Sequence, residues 1–529
     1  MSKIVMKILI SLLLSLVLTS CTYLKYSSVQ ASYERIQNAD PSQKNVKHLL
    51  NRESFLVIGS TLDTSEHYTN VSIAVVAYSD KYKANEKVDA MFYKSASKKH
   101  FGLNLPEGEY EILVYADNNN NNLFEPSEVV AAKNLLLNQS LYPELIASQV
   151  DISLALPIFS KRSETISFLG SFETTPSLYF PSGAIRGLDD LLFAQNMATL
   201  GMYDPASFLE HAPTMFYALE EDQLHKIPVV FVHGIGGSVR SFDSILSQLD
   251  RNRYKPWFFY YPSGGDLDQL ADFFYNTFLS GEVIPLGNMP MIIVAHSMGG
   301  IITREAINKY KGLESENKTA LFVSIASPFA GHPNAAKGEQ QGLIVLPAWR
   351  DLNPNNRFIQ QLFRKPLPDF LEHQLFYAFK NTSSLKLGEN SDGVVPLFSQ
   401  LHPQAQQQAK RSIGFNSGHV NVLSDPKMLA QLFKEMDQVQ NIFSKPSLDV
   451  LAAGGFDVKL SGDYRATTHH LISYAGKYMA MLVHGLIEPM QQQRHFVLAA
   501  QGKVPANTEL EKEFLMFMKE YPELMASVL

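Results

Sequence analysis

A serine hydroxyl is a weak nucleophile until a base sits beside it and hydrogen-bond donors face the charge it creates. The stretch MIIVAHSMGGIITREA, residues 291–306, offers a setting for that chemistry. Its apolar run 291–294 reads as a buried strand, and GGIITREAINKY reads as a helix with Ile302, Ala306 and Tyr310 on one face. Ser297 stands at the corner between them, with Ala295 two places before it and Gly299 two places after. Small neighbours at those places permit the sharp strand-to-helix turn of a nucleophile elbow, where the serine takes a strained backbone and presents its Oγ. The pattern is Ala-x-Ser-x-Gly where Gly-x-Ser-x-Gly is commoner, a departure of one methyl group. The same small residues would equally suit a turn that only packs. A second stretch, VVFVHGIGGS at 229–238, is a strand followed by a glycine-rich loop able to aim backbone N–H groups at a developing oxyanion. It lacks the Gly-Lys-Ser/Thr ending of a phosphate-cradling loop and the full dinucleotide-binding spacing.

Together VHGIGG and AHSMGG resemble the α/β-hydrolase superfamily, in particular bacterial lipases that carry these two hexapeptides in this order. The resemblance spans roughly residues 226–430. It implies an oxyanion hole built from the N–H groups of Ile235 and Met298, and an acid and a histidine that follow the serine in that order. Asp392, in GENSDGVVPLFSQ, occupies a turn after the strand-like LFYAFKN, where this family carries its acid. His419, in GFNSGHVNVLSDPKM, resembles the residue of the loop that presents the catalytic histidine. In those roles His419 takes the proton of Ser297 and returns it to the leaving group, while Asp392 holds the tautomer. His402, His373, Asp351 and Glu389 are the alternatives, and Asp392 in Ser-Asp-Gly also suits a plain turn. His233 is expected to support the glycine loop from beneath. The apolar insertion at 333–374, which holds Trp349, would form a lid or acyl-binding wall of the kind common in such hydrolases, or else an ordinary cap helix. No metal or cofactor is required for this chemistry.

The elements that must position these residues follow from the hydrophobic pattern. After Ile227, apolar strand-like runs alternate with amphipathic helical stretches, which implies a doubly wound, mostly parallel sheet of α/β class covered on both faces. Before it, residues 55–156 hold the short runs FLVIGSTL, VSIAVVAY, HFGLNL, YEILVYAD and DISLAL, the signature of a small β-sandwich. The expected division is a signal at 1–21, a polar tether at 22–51, the sandwich at 52–156, an irregular connector at 157–225, the hydrolase domain at 226–446 and a helical extension at 447–529. Within the sandwich, DNNNNNLFEPSE places Asp117, Asn119, Asn121, Glu125 and Glu128 at the oxygen-ligand positions of an EF-hand-type calcium loop, with Asn122 where glycine is usual. An Asn-rich hairpin turn is the other reading of the same residues.

At 529 residues the chain exceeds one ordinary domain, and its formal charge of −7 with no basic tract argues against a nucleic-acid partner. The N-terminus carries Lys3 and Lys7 before an apolar run at 8–18 that is too short to span a bilayer, as in an export signal. It ends in LTSC, which resembles the bacterial lipoprotein box and implies a lipid on Cys21 that tethers the chain to a membrane. In a plain signal peptide that cysteine would be incidental. Cys21 is the only cysteine, so an intrachain disulfide is excluded. Thr22 in place of an aspartate implies, by resemblance to Gram-negative sorting, the outer membrane. The expectation is a membrane-anchored serine hydrolase of carboxylic esters, with lipids the leading substrates. An acyltransferase using the same serine, and a noncatalytic surface-binding protein, are the competing readings. No motif bears on acyl chain length, head group or oligomeric state.

Overall fold

The computed structural model describes residues 54–529 apart from 64–66, 69–70, 81–86, 94–97, 122, 144–145, 156, 168–176, 181–183, 213, 342–344, 381–389 and 461–463. The signal segment, Cys21, the tether, Asn122 and Glu389 lie outside the described residues.

The N-terminal strands are β1 (Ser54–Leu62), β2 (Ser72–Tyr78), β3 (Lys87–Tyr93), β4 (Lys98–Pro106), β5 (Gly108–Asp117), β6 (Leu123–Phe124), β7 (Val129–Leu137), β8 (Ile146–Ala147), β9 (Ile152–Ser153) and β10 (Ile166–Ser167). One sheet runs β4-β1-β8 with β9 also on β1, and the other runs β3-β2-β5-β7. Strand alternation explains the core between them. On β2, Ile73, Val75 and Ala77 point to one side and meet Val57, Leu103 and Val114 of the shared core. Ala74, Val76 and Tyr78 point to the other side and are covered by Phe124 and Ile166. Both faces of β2 are therefore buried, which is why its sequence reads as a continuous apolar run.

The functional part rests on a seven-stranded sheet. Its strands are β11 (Phe216–Ala218), β12 (Ile227–Val232), β13 (Tyr254–Phe259), β14 (Met291–His296), β15 (Thr319–Ile325), β16 (Glu372–Phe379) and β17 (Arg411–Asn416), in the order β11-β13-β12-β14-β15-β16-β17. The steps from β12 to β14 and onward to β17 are all parallel. Every residue of β12 and β14 is buried, as expected for central strands covered on both faces. The chain leaves β12 for β13 on one side and returns to β14 on the other. That reversal opens a crevice beyond the carboxyl ends of β12 and β14, where ligands bind in open α/β sheets.

The stretch expected to be a connector supplies part of this sheet. Phe216–Ala218 pairs antiparallel with β13 as the edge strand, and aromatic contacts hold it there, with Phe193 edge-on to Tyr217 and to Tyr260, 5.5 Å between centroids in each case. Three residues are too few to show alternation, so the strand leaves no pattern in the sequence.

Residues Gln440–Leu529, with Asp222–Ile227 and Asp250–Lys255, make a second compact unit, slightly larger than the helical extension expected from 447. Its helices Ala466–Val483 and Glu509–Glu520 bury Ile472, Phe514 and Phe517 in one cluster. Thr508 and Glu511 close a capping box that starts the second helix.

Beneath the corner at Ser297 the helix Met298–Asn308 packs on the helix Leu267–Phe274. Lys309, at its end, lies 3.0 Å from Asp268, is paired with Asp272, and lies 3.8 Å from the buried Glu305. Removing one partner of a buried pair is costly because the other charges stay behind. Lys309→Met is expected to lower the unfolding free energy by about 3 kcal/mol, read from urea denaturation. A change within experimental error would show that these carboxylates find solvent instead.

Candidate active site

β14 ends at His296, and Ser297 follows with φ 54° and ψ −127°, a conformation rarely taken by residues other than glycine. Strain of this kind costs on the order of 1–3 kcal/mol and persists only where the surroundings impose it. Here the Ser297 N–H donates to the Ile325 carbonyl at 2.8 Å, and the helix starts at Met298. Gly299 is required by space, since a Cβ there would lie 2.4 Å from the Val232 carbonyl oxygen and 2.6 Å from that of His233. At Gly234 a Cβ would lie 2.7 Å from the Ser297 Cβ, so the glycine loop after β12 can close over the serine only without a side chain.

The structure brings Ser297, His419 and Asp392 together. His419 Nε2 lies 3.0 Å from Ser297 Oγ, and its Nδ1 lies 2.6 Å from Asp392 Oδ2. An ionised carboxylate can only accept, so Nδ1 carries the proton and Nε2 is left bare to accept from the serine hydroxyl. Asp392 is fully supported. Its Oδ1 accepts the Val394 and Val395 amides at 2.8 and 2.7 Å, and Oδ2 also accepts Gln400 Nε2 at 3.1 Å. The backbone is tied as well, with the His419 N–H donating to the Asp392 carbonyl at 3.1 Å.

Ile235 and Met298 line the same cavity as Ser297 and His419. Met298 is the first residue of its helix, where N–H groups have no partner within the helix and the dipole favours negative charge. The glycine loop is held from below by His233, whose Nδ1–H donates to the Gly234 carbonyl at 2.8 Å while its Nε2 accepts the Tyr261 amide at 3.3 Å. The His233 and Tyr261 rings stack at 4.2 Å. Burial pushes His233 down to about 4, so it stays neutral and keeps both bonds.

His373, His402 and Asp351 lie elsewhere. His373 shares a hydrogen bond with Ser324 Oγ at 2.8 Å and stacks on Phe322. His402 stacks on Phe363, and Asp351 accepts the Leu267 amide. Several contributors carry no motif. Gln400 ties Asp392 to both the N–H and the carbonyl of Ala378. Ser263 Oγ accepts the Gly236 amide at 2.9 Å. His332 donates from Nε2 to the Val394 carbonyl at 2.8 Å. Only the three-dimensional arrangement exposes these roles, because most of the partners are backbone groups that any residue would supply.

The cavity above Ser297 holds about 550 Å³. Met202, Leu352, Leu423 and Trp349 give it apolar walls, with Val394 and Val420 at the rim, both more than half exposed. Ala335, Trp349 and Leu352 come from the insertion at 333–374, the first two from the helices Pro333–Gln341 and Pro347–Asp351 and Leu352 from the cap of the second.

The calcium-type loop uses its oxygens internally. Asp117 Oδ1 and Asn119 Oδ1 both accept the Asn121 amide, and Asn121 Oδ1 accepts that of Leu123. Glu128 accepts the amides of Asn118 and Glu125, and Glu125 Oε2 accepts from Asn119 Nδ2. Among the described residues no cluster of three or more His, Cys, Asp or Glu is arranged to hold a metal ion.

Comparison with known proteins places this geometry in context. A family model described as lecithin:cholesterol acyltransferase matches residues 268–374, about a fifth of the chain, which includes Ser297 but neither Asp392 nor His419. A gene product of Listeria innocua is 18% identical over 41% of this chain and 96% of its own, with a TM-score of 0.32. The mature form of a Bacillus licheniformis lipase is 17% identical over 42% and 98%, with a TM-score of 0.31. An α/β-hydrolase family protein from Desulfitobacterium hafniense is 14% identical over 42% and 100%, with a TM-score of 0.29. No curated protein matches the sequence. The chain has an α/β fold built on a mostly parallel seven-stranded sheet.

In this α/β fold the buried histidines make stability depend on pH. Burial holds His233, His296 and His373 neutral, pushing them down to about 4, 3 and 3. In the unfolded chain they regain an ordinary value near 6.5. Below that pH the unfolded state binds protons that the folded state refuses, so stability falls as pH drops from about 6.5 toward 4 and is unaffected above. Thermal unfolding measured from pH 7.5 to 4.5 should show a midpoint that is level at first and then declines. In His373→Gln, which is remote from Ser297, the decline should be shallower.

Proposed function

We propose that the protein is a serine hydrolase that cleaves carboxylic esters with apolar acyl groups. The observation that carries this reading is the hydrogen-bonded series Asp392, His419, Ser297 at a strained strand-to-helix corner that opens into an apolar cavity. The Ser297 hydroxyl gives its proton to His419 Nε2 as Oγ attacks the ester carbonyl. The tetrahedral oxyanion is stabilised by the Ile235 and Met298 amides. When the intermediate collapses, the carbon–oxygen bond to the alcohol breaks and the leaving oxygen takes the proton from His419. Water, deprotonated in turn by His419, then releases the acid and restores the serine. Asp392 stays ionised throughout and holds the imidazolium in place.

Lipid esters fit the apolar walls and the exposed Val394 and Val420 at the rim. The N-terminal segment and Cys21 support export and lipid anchoring to a bacterial membrane, with the outer membrane the expected side. A second reading retains the acyl-enzyme and passes the acyl group to a lipid or sugar alcohol. The name of the matched family, an acyltransferase, favours keeping it. Supplying a primary alcohol with the ester and looking for the new ester by mass spectrometry separates the two acceptors.

A fluorophosphonate probe should label wild-type protein at Ser297 and leave Ser297→Ala unlabelled. With p-nitrophenyl esters, Ser297→Ala and Asp392→Asn should each lose turnover by on the order of 10⁴-fold or more, without loss of folding. An unchanged rate in Ser297→Ala would point to another nucleophile and end this reading.

Trp349 gives a check on the acyl side. Its ring packs against Gly338, where a Cβ would lie 2.9 Å away, and it faces the cavity. Trp349→Ala should move the preferred ester to longer acyl chains across a graded p-nitrophenyl series. An identical chain-length profile would remove this side chain from the acyl wall.

A further inference from the structure

The residue just before the nucleophile is a buried histidine that the mechanism above does not use. His296 ends β14, and its Nε2 lies 2.9 Å from the main-chain carbonyl oxygen of His419, 123 residues away in sequence. A carbonyl can only accept, so Nε2 carries the hydrogen and donates it. Burial, and then the neighbouring His419, pushes His296 down to about 3, which keeps it neutral across the working range. The two imidazole rings are 4.8 Å apart between centroids.

We infer that His296 is a positioning residue that sets the distance between Ser297 and His419, through its hydrogen bond to the His419 carbonyl. The inference rests on the serine-hydrolase reading above. The backbone on either side of His419 is held within its own loop, with the Gly418 carbonyl accepting the Val422 amide and the Val420 carbonyl accepting that of Leu423, but those bonds do not fix the loop relative to the serine. Both backbone polar groups of His419 are nevertheless engaged. The N–H is taken by the Asp392 carbonyl, and the C=O is taken by His296. The base is thus fastened on one side to the acid residue and on the other to the immediate neighbour of the nucleophile. Since Ser297 follows His296 on a rigid, fully buried strand end, the tether transmits the position of the elbow directly to the histidine loop.

A neutral donor suits this task. The imidazolium that forms on His419 during turnover would be opposed by a second positive charge so close, whereas a neutral ring adds none. The same bond also satisfies a buried carbonyl that would otherwise have to be solvated.

The test compares two amides that differ in reach. A glutamine amide nitrogen occupies about the place of histidine Nε2, while that of asparagine falls one carbon short. His296→Gln should keep kcat within a few-fold of wild type. His296→Asn and His296→Phe should lower kcat by about 10–100-fold, the scale on which small misplacements act. KM should change far less, because His296 is one of many lining residues and the apolar walls from Met202, Trp349, Leu352 and Leu423 are untouched. Fluorophosphonate labelling of Ser297 should slow in the same order. Thermal unfolding of all three variants is measured alongside, so that lost folding is not read as lost positioning. Equal kcat in the glutamine and asparagine variants, or a wild-type kcat in the phenylalanine variant, would overturn the inference while leaving the hydrolase reading intact. A wild-type protein that neither labels at Ser297 nor cleaves esters would overturn both.

Discussion

The proposed chemistry depends on one distance, the 3.0 Å between Ser297 Oγ and His419 Nε2, kept between residues that are 122 positions apart. A hydroxyl is deprotonated in a transition state only if a bare imidazole nitrogen already lies in line with it. The parallel sheet is the device that sets the distance. β14 delivers the serine and β17 leads into the histidine loop, two strands further along the same sheet edge from β15. Asp392 follows β16 and so lies between them in the order of the chain and of the sheet. Because all these strands run the same way, every functional loop leaves from the same edge.

Holding the serine in a strained conformation is expensive, and the surroundings must make any relaxed alternative worse. They do so by close packing: the Val232 and His233 carbonyls leave no room for a side chain at Gly299, and the Ser297 side chain leaves none at Gly234. Central strands without an exposed residue give the corner nowhere to move. The beginning of the helix adds a favourable field for the charge that develops at the serine. Strain at Ser297 and burial in β12 and β14 are therefore two sides of one arrangement.

What could be read from sequence follows the range of each signal. The corner at Ser297 and the glycine loop after β12 are contiguous words whose residue types are dictated by local backbone demands, so they stand out. Asp392 and His419 were legible only through chain order and resemblance, since Ser-Asp-Gly and Ser-Gly-His have no local necessity. Gln400, Ser263 and His332 were invisible: each acts by holding a main-chain group far away in sequence. The edge strand Phe216–Ala218 was missed because its stability comes from the rings of Phe193 and Tyr260, outside any window of alternation. At residues 117–128 the calcium-type spacing was legible, and the structure adds that several of these oxygens accept amides of the same loop.

The loops that complete the triad also shape the mouth of the cavity. Val394 and Val395 give their amides to Asp392 while their side chains line the space above Ser297. His332 joins the Val394 carbonyl to the start of the insertion, where its Nδ1 accepts the Asn334 amide at the beginning of the helix Pro333–Gln341. The cavity wall and Asp392 are thus parts of one hydrogen-bonded assembly. In such an assembly, a change in the insertion acts on the orientation of Asp392 through a single carbonyl. Under the proposed function this geometry couples selectivity to rate, with no movement of the sheet required.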